Sequence, residues 1–419
     1  MMEMVKFYSK KTVSYLLAFL RWSALGIIVG VVSGAVGSAF SKAILFVSGV
    51  RSEHSWLVLL LPLGGLVSVG IYKLCRVTGI GTNEVFKSVE SESRVPYLLA
   101  PAVFIGTCLS HLFGGSAGRE GAALQLGGSV ASLLGGILKL DENTRHILTM
   151  CGMGAFFSAL FGTPLGACVF ALEVVSVGHF CSAAFYPAII SSITSYGVSL
   201  FFKVHPERFA VAVDPELGLG VLWRVMVISV AGAIVSFLFC HLMHFSEKLF
   251  KKWFKNDYLR IAVGGLVIVA LTYIVGNQDY NGGGIDVINR AFSGDGVRYE
   301  AFALKMLFTA ITIGVGFKGG EIVPTLFIGA TFGATVGSLV GLEPSLAAAV
   351  GMASLFCGVT NCPLATIVLC IELFGGKAMI MCALACITSF LLSGNASLYT
   401  AQKLIYSKLN DEEINFSAD

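Results

Sequence analysis

Two acidic residues of this chain lie inside glycine-rich, apolar segments, where a carboxylate needs a partner. Glu120 lies in GGSAGREGAALQLGG, residues 114–128, and Glu321 lies in GFKGGEIVP, residues 316–324. In a hydrocarbon environment a charged side chain costs on the order of 3 kcal/mol or more, unless it faces water, an ion or an opposite charge. Whether each carboxylate faces water, an ion or an opposite charge therefore indicates what chemistry it can perform.

Both segments combine a backbone loosened by glycine with the start of an apolar helix. The glycines release the chain from helix and AALQLGG restarts one, so Glu120 is predicted at or near a helix N-terminus with unpaired N–H groups. Such an end attracts an anion. A carboxylate there can occupy the anion's own site and leave it when protonated or displaced, which makes Glu120 a candidate gate and proton carrier. Glu321 has the same setting, and Pro324 suits a first helical turn.

Each acid also has an ordinary interpretation. Glu120 would then form an ion pair with Arg119 that caps a helix in a loop, and Lys318 would be the counter-charge of Glu321 in the same manner. The pattern of residues alone leaves both interpretations open.

Two weaker candidates interrupt other apolar stretches. The segment TGIGTNEV, residues 78–85, follows an apolar run that ends at Leu74, and SGNASLYT, residues 393–400, offers the hydroxyl of Tyr399 as a donor to an anion. Such Thr-Gly and Gly-Thr-Asn sequences are common in ordinary turns, and aromatic residues near membrane interfaces are usually anchors. By themselves these segments are weak evidence for a binding site.

An internal repeat places the two acids at corresponding positions. GRE at 118–120 is followed by TPLGACVFALE at 163–173, and GGE at 319–321 is followed by CPLATIVLCIE at 362–372. The acid precedes the proline by 44 residues in the first half and by 42 in the second, and nine residues separate this proline from the last glutamate in both halves. Internal repeats are typical of transporter folds, whose binding sites lie near the membrane midplane on broken helices.

Composition places these segments in lipid. Hydrophobic residues make up 56% of the 419 residues and charged residues only 13%, too few to cover a water-soluble fold of this size. Runs without Asp, Glu, Lys or Arg are long enough to span a bilayer, and they lack the alternation of a membrane β-barrel. The predicted fold class is therefore an all-α integral membrane protein, a bundle of many helices. The runs include residues 22–41, 146–172, 174–202, 225–246, 344–371 and 378–402.

Charge and polarity divide the chain into four predicted parts. These are a cytoplasmic N-terminal segment (1–21), a first membrane repeat (22–205), a second membrane repeat (206–402) and a short polar tail (403–419) that is too small for a regulatory domain. The apolar run from Trp22 is interpreted as the first span rather than as a cleaved signal peptide. The basic residues before it, and the basic segment EKLFKKWFK at 247–255, are expected on the cytoplasmic side.

Several other classes of function are disfavoured. A net charge of +3, with basic residues near span ends, gives no basis for nucleic-acid binding. The eleven cysteines have no CxxC pair and no histidine at ligand spacing, so neither a metal site nor a cofactor is predicted. The scattered histidines and the lack of a Ser/His or paired-Asp arrangement disfavour a membrane-embedded enzyme. A structural scaffold is disfavoured because repeated carboxylates in apolar surroundings are costly.

In this order, GREG at 118–121, GGEIVP at 319–324, the TPLG and CPLA segments and Tyr399 resemble the CLC family of chloride channels and proton-coupled anion exchangers. The match spans most of the chain. The resemblance implies a homodimer in which each subunit has its own pore and two inverted repeats whose helix N-termini converge on a dehydrated anion. It also implies a multi-pass protein of the cell membrane whose partners are a fluoride or chloride ion, protons and membrane lipid.

By position, Glu120 matches the family's gating glutamate, Tyr399 its central-site tyrosine and GIGTNE at 79–84 its first anion loop. The predicted gating and proton-transfer residues are Glu120 and Glu321. The predicted anion-binding residues are Gly79, Ile80, Gly81, Thr82, Asn83, Gly118, Arg119, Gly121, Gly320, Ile322, Val323 and Tyr399.

Three features depart from the usual pattern of chloride-transporting members. In the first loop Ile80 replaces a serine or proline of the central site, and Asn83 replaces the proline that normally follows. In the second half Glu321 replaces an apolar residue after the two glycines. Val174 takes the place of the inner glutamate that chloride/proton exchangers often carry. Together these departures resemble the fluoride/proton antiporter branch of the family.

The carboxylates give this resemblance a physical basis. Fluoride is small, hard and strongly hydrated, so a site that removes its water must supply strong donors. A protonated Glu120 or Glu321 is such a donor, and burial favours the neutral acid. The prediction is a proton-coupled antiporter that exports fluoride, in which Glu120 shuttles protons and yields to fluoride, while Glu321 stabilises fluoride or replaces the inner proton station. The alternative is a chloride channel or chloride/proton exchanger of the same family.

Overall fold

The structure is a computed structural model that describes residues 2–91, 93–178, 180–215, 217–410 and 412–417. The described residues form sixteen α-helices, one 3-10 helix at Ser55–Leu60 and a small sheet. The first eight helices are α1 (Met2–Glu53), α2 (Leu61–Leu74), α3 (Thr82–Glu90), α4 (Leu99–Leu112), α5 (Glu120–Ile137), α6 (Glu142–Phe161), α7 (Pro164–Glu173) and α8 (Ser182–Phe201). The other eight are α9 (Leu219–Trp253), α10 (Asp257–Val275), α11 (Ile285–Ser293), α12 (Ala301–Gly314), α13 (Ile322–Val340), α14 (Pro344–Thr360), α15 (Pro363–Phe374) and α16 (Met379–Leu392). The predicted helical membrane fold is confirmed.

Six helical segments among the described residues are long and apolar enough to cross a bilayer. The first of them lies in α1, which begins at Met2 and continues through residue 21 without a break. The predicted cytoplasmic segment 1–21 is thus continuous with the first span. No proline or glycine precedes Gly26, so this stretch contains no residue that stops a helix.

Glycines hold helices close together at equivalent places in the two halves. On α5 and α6, a Cβ at Gly127 or at Gly152 would collide with the backbone of the other helix. On α13 and α14, the same is true of Gly329 and Gly351. Small residues that let backbones approach are the usual means of close helix packing in lipid. Each helix that starts at a predicted acid is therefore fixed against the helix that follows it.

The helices α7 and α15, which both start with proline, cap each other. Glu173 at the end of α7 accepts hydrogen bonds from the N–H groups of Leu364 and Ala365 at the start of α15, with N···O distances of 3.2 and 2.7 Å. Glu372 of α15 accepts from the second and third residues of α7, at 3.1 and 2.7 Å. Each carboxylate satisfies two N–H groups that a helix start leaves unpaired. Corresponding segments of the two halves therefore meet in antiparallel orientation.

Part of the predicted polar tail forms a sheet with the first half of the chain. The strands lie in the order β1 (Ser176–Val177), β2 (Lys403–Tyr406) and β3 (Glu413–Ser417), with β1 and β2 parallel and β2 and β3 antiparallel. The side-chain amide of Gln402 fixes the entry into β2 by donating to the carbonyl of Val174 at 3.0 Å and to that of Thr360 at 2.7 Å. The sequence did not predict these strands, because KLIY is too short for its alternation to be a clear signal.

We expect Glu173→Gln to destabilise the protein, because an NH₂ donor then faces a buried backbone N–H. A buried polar group without a partner costs about 1–3 kcal/mol. The midpoint of thermal denaturation in detergent should fall, whereas Glu53→Gln, at the exposed end of α1, should leave it unchanged. Equal midpoints for the two variants would show that the reciprocal caps contribute nothing.

Candidate functional site

The segments before α5 and α13 are joined by one pair of backbone hydrogen bonds. The N–H of Gly118 donates to the carbonyl of Gly320 at 2.7 Å, and the N–H of Gly320 donates to the carbonyl of Gly118 at 2.8 Å. A Cβ at Gly118 would collide with the carboxylate of Glu120, and one at Gly320 would collide with the backbone nitrogen of Gly121. Glycine is therefore required at Gly320, where the clash is with backbone, whereas a Cβ at Gly118 would have to displace the carboxylate of Glu120. The corresponding acidic motifs of the two halves thus meet.

Glu120 is the first residue of α5 and is fully buried against the start of the opposite helix. Its Oε2 atom accepts from the N–H of Arg119 at 2.8 Å and from the N–H of Val323, in the first turn of α13, at 3.3 Å. Its Oε1 atom has no hydrogen-bond partner among the described residues. The carboxylate thus occupies an amide-lined position at a helix N-terminus, where an anion would also be stabilised.

The guanidinium of Arg119 is held mainly by other groups. Its Nη2 atom lies 2.7 Å from Oε1 of Glu207, and its Nη1 atom donates to Oγ of Ser41 at 3.2 Å. The Nε atom of Arg119 is 3.6 Å from Oε1 of Glu120, so the ion pair of the ordinary interpretation exists but is the longer of the two. The side chain of Arg119 is therefore fixed by Glu207, and its backbone N–H is the group that bonds Glu120.

Glu321 lies directly before α13 and faces the first half of the chain. Its backbone carbonyl accepts from both the N–H and the hydroxyl of Thr325, which fixes it at the helix start. Its Oε2 atom is 3.1 Å from the place that a Cβ of Gly121 would take, so it lies against the first turn of α5. In the described chain this oxygen has no partner, and Lys318 forms no ion pair with Glu321. Each acid therefore lies at the N-terminus of a helix from the other half.

A cavity of about 760 Å³ reaches Glu321 and Tyr399 from one side of the protein. Its walls include the loop 78–84 and the segment 313–319, and Glu120 is not among its lining residues. The cavity carries charges of both signs. The charged residues that line it with Glu321 are Glu84, Lys87, Glu247, Lys251, Lys255, Asp257, Arg260 and Lys318. Glu120 thus lies outside the lining of the cavity, which Glu321 reaches.

The first predicted loop forms one wall of this cavity, with Gly79, Ile80, Gly81, Thr82 and Asn83 all among its lining residues. The carboxylate of Glu84 closes the turn by accepting from the N–H of Gly81 at 2.9 Å. Oγ1 of Thr82 accepts from the side chain of Gln125 on α5 at 3.0 Å, and Oδ1 of Asn83 accepts from the N–H of Ala401 at 3.1 Å. Ile80 brings an apolar side chain without a hydroxyl to this wall.

Tyr399 lies at the inner end of the cavity, where only 2% of its surface is exposed. Its ring packs edge-on against Phe86, with 5.1 Å between the centroids, and its hydroxyl has no hydrogen-bond partner among the described residues. An aromatic anchor at a membrane interface would keep its polar end wet. Tyr399 instead offers a buried donor beside the two acids.

Val174, at the predicted place of the family's inner glutamate, has an apolar side chain. Its side chain is fully buried, and its carbonyl accepts from Gln402 at 3.0 Å. An apolar side chain cannot take up a proton, so a proton that moves between Glu120 and the cavity needs another carrier. Glu321 is the acid that lies between the cavity and the start of α5.

These features bring hydrogen-bond donors and two buried acids together inside a membrane protein. Two helix N-termini and a buried tyrosine hydroxyl supply donors, and two carboxylates with unpaired oxygens can bind and release protons. An arrangement of this kind, built on broken helices at the meeting of two repeats, is that of an ion transporter or channel.

The comparisons with known proteins agree with this class. The family model described as "Voltage gated chloride channel" matches residues 64–394. The chain is 32% identical to the chloride/fluoride channel protein of Pseudomonas syringae pv. tomato, across 99% of this chain and 94% of that protein. It is 26% identical to the H(+)/Cl(-) exchange transporter ClcA of Vibrio cholerae, across 85% of this chain and 82% of that protein. The chain belongs to the voltage gated chloride channel family, which is the CLC family that its motifs resemble.

Solved structures show the same relationship. The crystal structure of a CLC-type fluoride/proton antiporter superposes with a TM-score of 0.89 at 33% identity, over 92% of this chain and 98% of that one. A slow cyanobacterial Cl⁻/H⁺ antiporter superposes with a TM-score of 0.78 at 20% identity, over 89% of this chain and 94% of that one. At 20% identity, the second comparison shows only that the two proteins share a fold.

The structure places the predicted site residues in two groups, one in the cavity wall and one where the segments before α5 and α13 meet, and the side chain of Ile322 lines a separate apolar pocket with Phe157 and Leu326. The backbone of Arg119 is part of the amide-lined position, whereas its guanidinium is bound to Glu207, Ser41 and the carbonyl of Leu160. Sequence reasoning missed Glu207, one of three acids in the stretch 203–224 between two long apolar runs. Its spacing from Arg119 carries no helical or strand period, so no local signal connects the two.

We expect Gly320→Ala to destabilise the protein, because the new methyl group collides with the backbone of α5 rather than with a flexible side chain. Overpacking of this kind costs about 1–3 kcal/mol. The matched control is Gly136→Ala on α5, since no atom lies within 4 Å of its Cβ position. The thermal midpoint should fall for Gly320→Ala and hold or rise for Gly136→Ala. If both variants have the same thermal midpoint, the close contact between the two halves is not required for stability.

Proposed function

We propose that this protein is a proton-coupled antiporter that exports fluoride in exchange for protons. The observation that carries the proposal is the pair of carboxylates, Glu120 and Glu321, at the N-termini of helices from opposite halves. Oε1 of Glu120 and Oε2 of Glu321 have no hydrogen-bond partner among the described residues. The relative named a chloride/fluoride channel protein and the structure of a fluoride/proton antiporter support the choice of ion.

Glu120 acts as both the gate and the proton carrier. In its charged form, its Oε2 atom takes the N–H of Val323 and so occupies the place of the anion. Protonation removes the negative charge and makes one oxygen a donor. An anion that arrives from the cavity then takes the N–H of Val323, and the neutral carboxyl swings aside. When the anion has left on the far side, Glu120 passes the proton that it took up from that side to Glu321 and the cavity, and it returns to its place, so anion and proton move in opposite directions.

The surrounding groups favour fluoride over a larger halide. A protonated carboxyl forms a short, charge-assisted hydrogen bond to a hard anion, which replaces part of the lost hydration. Glu321 provides a second donor of this type at the inner end of the path. It also provides the proton station that Val174 cannot supply. Chloride needs no such strong donor, because it is larger and more weakly hydrated.

A chloride channel or a chloride/proton exchanger is the second candidate. The relative from Vibrio cholerae, named an H(+)/Cl(-) exchange transporter, supports it. The apolar Ile80 in the first loop and the buried Val174 oppose it, since neither gives chloride or the proton a polar group. The two candidates share a path and differ in which ion the path accepts.

We place the mouth of the cavity, and the N-terminus, on the cytoplasmic side of the cell membrane. Lys251 and Lys255 from the basic segment 247–255 line the cavity. Positive residues in short segments beside spans remain in the cytoplasm. The N-terminal basic residues before Trp22 follow the same rule. Fluoride therefore enters the path from the cytoplasm.

The proposed assembly is a homodimer in lipid, with one path in each subunit. The resemblance to the CLC family is its main support. The paired helices α7 and α15 add to it, because at 10 and 12 residues they are too short to span a bilayer. They also expose Leu165 and Leu364, with 44% and 59% of their surfaces free. A second subunit would cover this apolar surface.

The proposal is tested by efflux from proteoliposomes loaded with equal fluoride and chloride, followed with ion electrodes and a pH dye in the lumen. Fluoride should leave at least about tenfold faster than chloride, and the lumen should acidify as protons enter. Glu120→Gln should abolish the acidification, because an amide cannot carry the proton. Passive escape of HF moves protons outward, so its pH change has the opposite sign.

Glu247→Gln is the matched control, since Glu247 lines the same cavity but is half exposed and paired with Lys251. This variant should retain the acidification. Equal rates for the two halides would favour the chloride candidate. Fluoride flux without a pH change in the unmodified protein would identify a channel, and full acidification by Glu120→Gln would remove Glu120 from the proton path.

A further inference from the structure

Lys318 has an ammonium group that lines the cavity and forms no ion pair with an acid among the described residues. Its Nζ atom lies 4.2 Å from the centroid of the Tyr72 ring, and it makes no ion pair or hydrogen bond within the described part of the chain. Two other cations of the cavity differ from it. Lys251 is paired with Glu247, and Arg260 is paired with an aspartate at 2.7 Å. Lys318 is therefore a cation with donors to spare, three residues before Glu321.

Two hydroxyl groups beside Lys318 also lack acceptors. Ser68 and Tyr72 are one turn apart on α2 and are 1% and 3% exposed, and neither side-chain oxygen has a hydrogen-bond partner among the described residues. The Cβ position of Gly106 on α4 is 3.1 Å from Oγ of Ser68 and 3.0 Å from Cγ of Lys318, so the lysine stem passes beside the serine. Lys318 and Tyr72 thus line the cavity, and Ser68 lies beside the stem of Lys318.

The free hydroxyl of Ser68 is unusual for a serine within a helix. Such a hydroxyl commonly donates to the carbonyl four residues earlier, as Ser38 does to Gly34 on α1 at 2.6 Å. Buried polar groups are nearly always hydrogen-bonded, because a buried donor without an acceptor costs free energy. Ser68 and Tyr72 are two such buried donors, and an anion held by the Lys318 ammonium would give them an acceptor.

We propose that Lys318, Ser68 and Tyr72 form an anion site in the cavity wall, where a fluoride ion binds before it reaches Glu321. The inference rests on the proposed function and adds a place of entry to it. The ammonium supplies the charge and the two hydroxyls supply short hydrogen bonds, which suits a small, hard anion. When fluoride binds, the Lys318 ammonium moves off the ring of Tyr72, and the hydroxyl of Tyr72 then donates to the ion.

An ordinary role for Lys318 makes a different prediction. If its cation only packs on the ring of Tyr72, the ring face is needed and the hydroxyl is not. Tyr72→Phe separates these roles, because it keeps the ring and removes only the oxygen. Lys318→Arg keeps the charge, and Lys318→Gln removes it. Lys251→Gln removes an equal charge from the same cavity at a lysine that already has a partner.

The experiment measures the initial rate of fluoride efflux from proteoliposomes of the full chain over a range of fluoride concentrations. We expect Lys318→Gln to raise the half-saturating fluoride concentration by about tenfold, as the loss of a charge-assisted hydrogen bond predicts. Tyr72→Phe and Ser68→Ala should each raise it by about threefold, as for a neutral hydrogen bond. The limiting rate should stay near that of the unmodified protein, Lys318→Arg should recover most of the affinity, and Lys251→Gln should have no effect.

An unchanged half-saturating concentration in Tyr72→Phe and Ser68→Ala overturns the site, even if Lys318→Gln fails to fold. An equal shift in Lys251→Gln also overturns it, because the effect would then be the general field of the cavity. If the unmodified protein shows no saturable fluoride flux, the proposed function fails, and this site fails with it.

Discussion

Two helix starts held against each other in the middle of a membrane protein create N–H groups that their own helices cannot satisfy. The double hydrogen bond between Gly118 and Gly320 fixes this arrangement, and a Cβ at Gly320 would collide with the backbone of the opposite half. In apolar surroundings such N–H groups must be met by a carboxylate or by an anion. Glu120 meets the N–H of Val323 from the opposite half. Every functional conclusion depends on this competition between carboxylate and anion for the same donors.

The same chain also shows how a carboxylate caps a helix permanently. Glu173 and Glu372 each use both oxygens to hold two N–H groups of the opposite half. Glu120 and Glu321 also lie at helix starts of the opposite half, but Oε1 of Glu120 and Oε2 of Glu321 accept no hydrogen bond in the described part of the chain. A fully bonded cap is costly to remove, whereas a partly bonded one can leave at lower cost. This difference separates the structural pair of glutamates from the pair that we propose to move.

The sequence predicted the local features of the fold and of the site well. The end of the apolar run at Leu74 and the helix start at Glu120 agree with α2 and α5, because glycine, proline and charge mark such boundaries locally. The internal repeat pairs Glu321 with Glu120, and Glu372 with Glu173, from the sequence alone. Features that depend on distant contacts were missed, among them the pairing of Arg119 with Glu207 and of KLIY with Ser176–Val177. Nor can a sequence show that Ser68, Tyr72 and Lys318 lack acceptors, since an unpaired donor is visible only when all of its neighbours are placed.

The most direct test of the competition is fluoride binding to the purified protein at neutral pH, measured by calorimetry for the unmodified chain and for Glu120→Ala. If the carboxylate occupies the place of the anion, removing it frees the N–H of Val323, and Glu120→Ala should bind fluoride more tightly than the unmodified chain. If fluoride binds equally well to both, or if Glu120→Ala no longer binds it, the carboxylate does not hold the anion's place and the account is wrong.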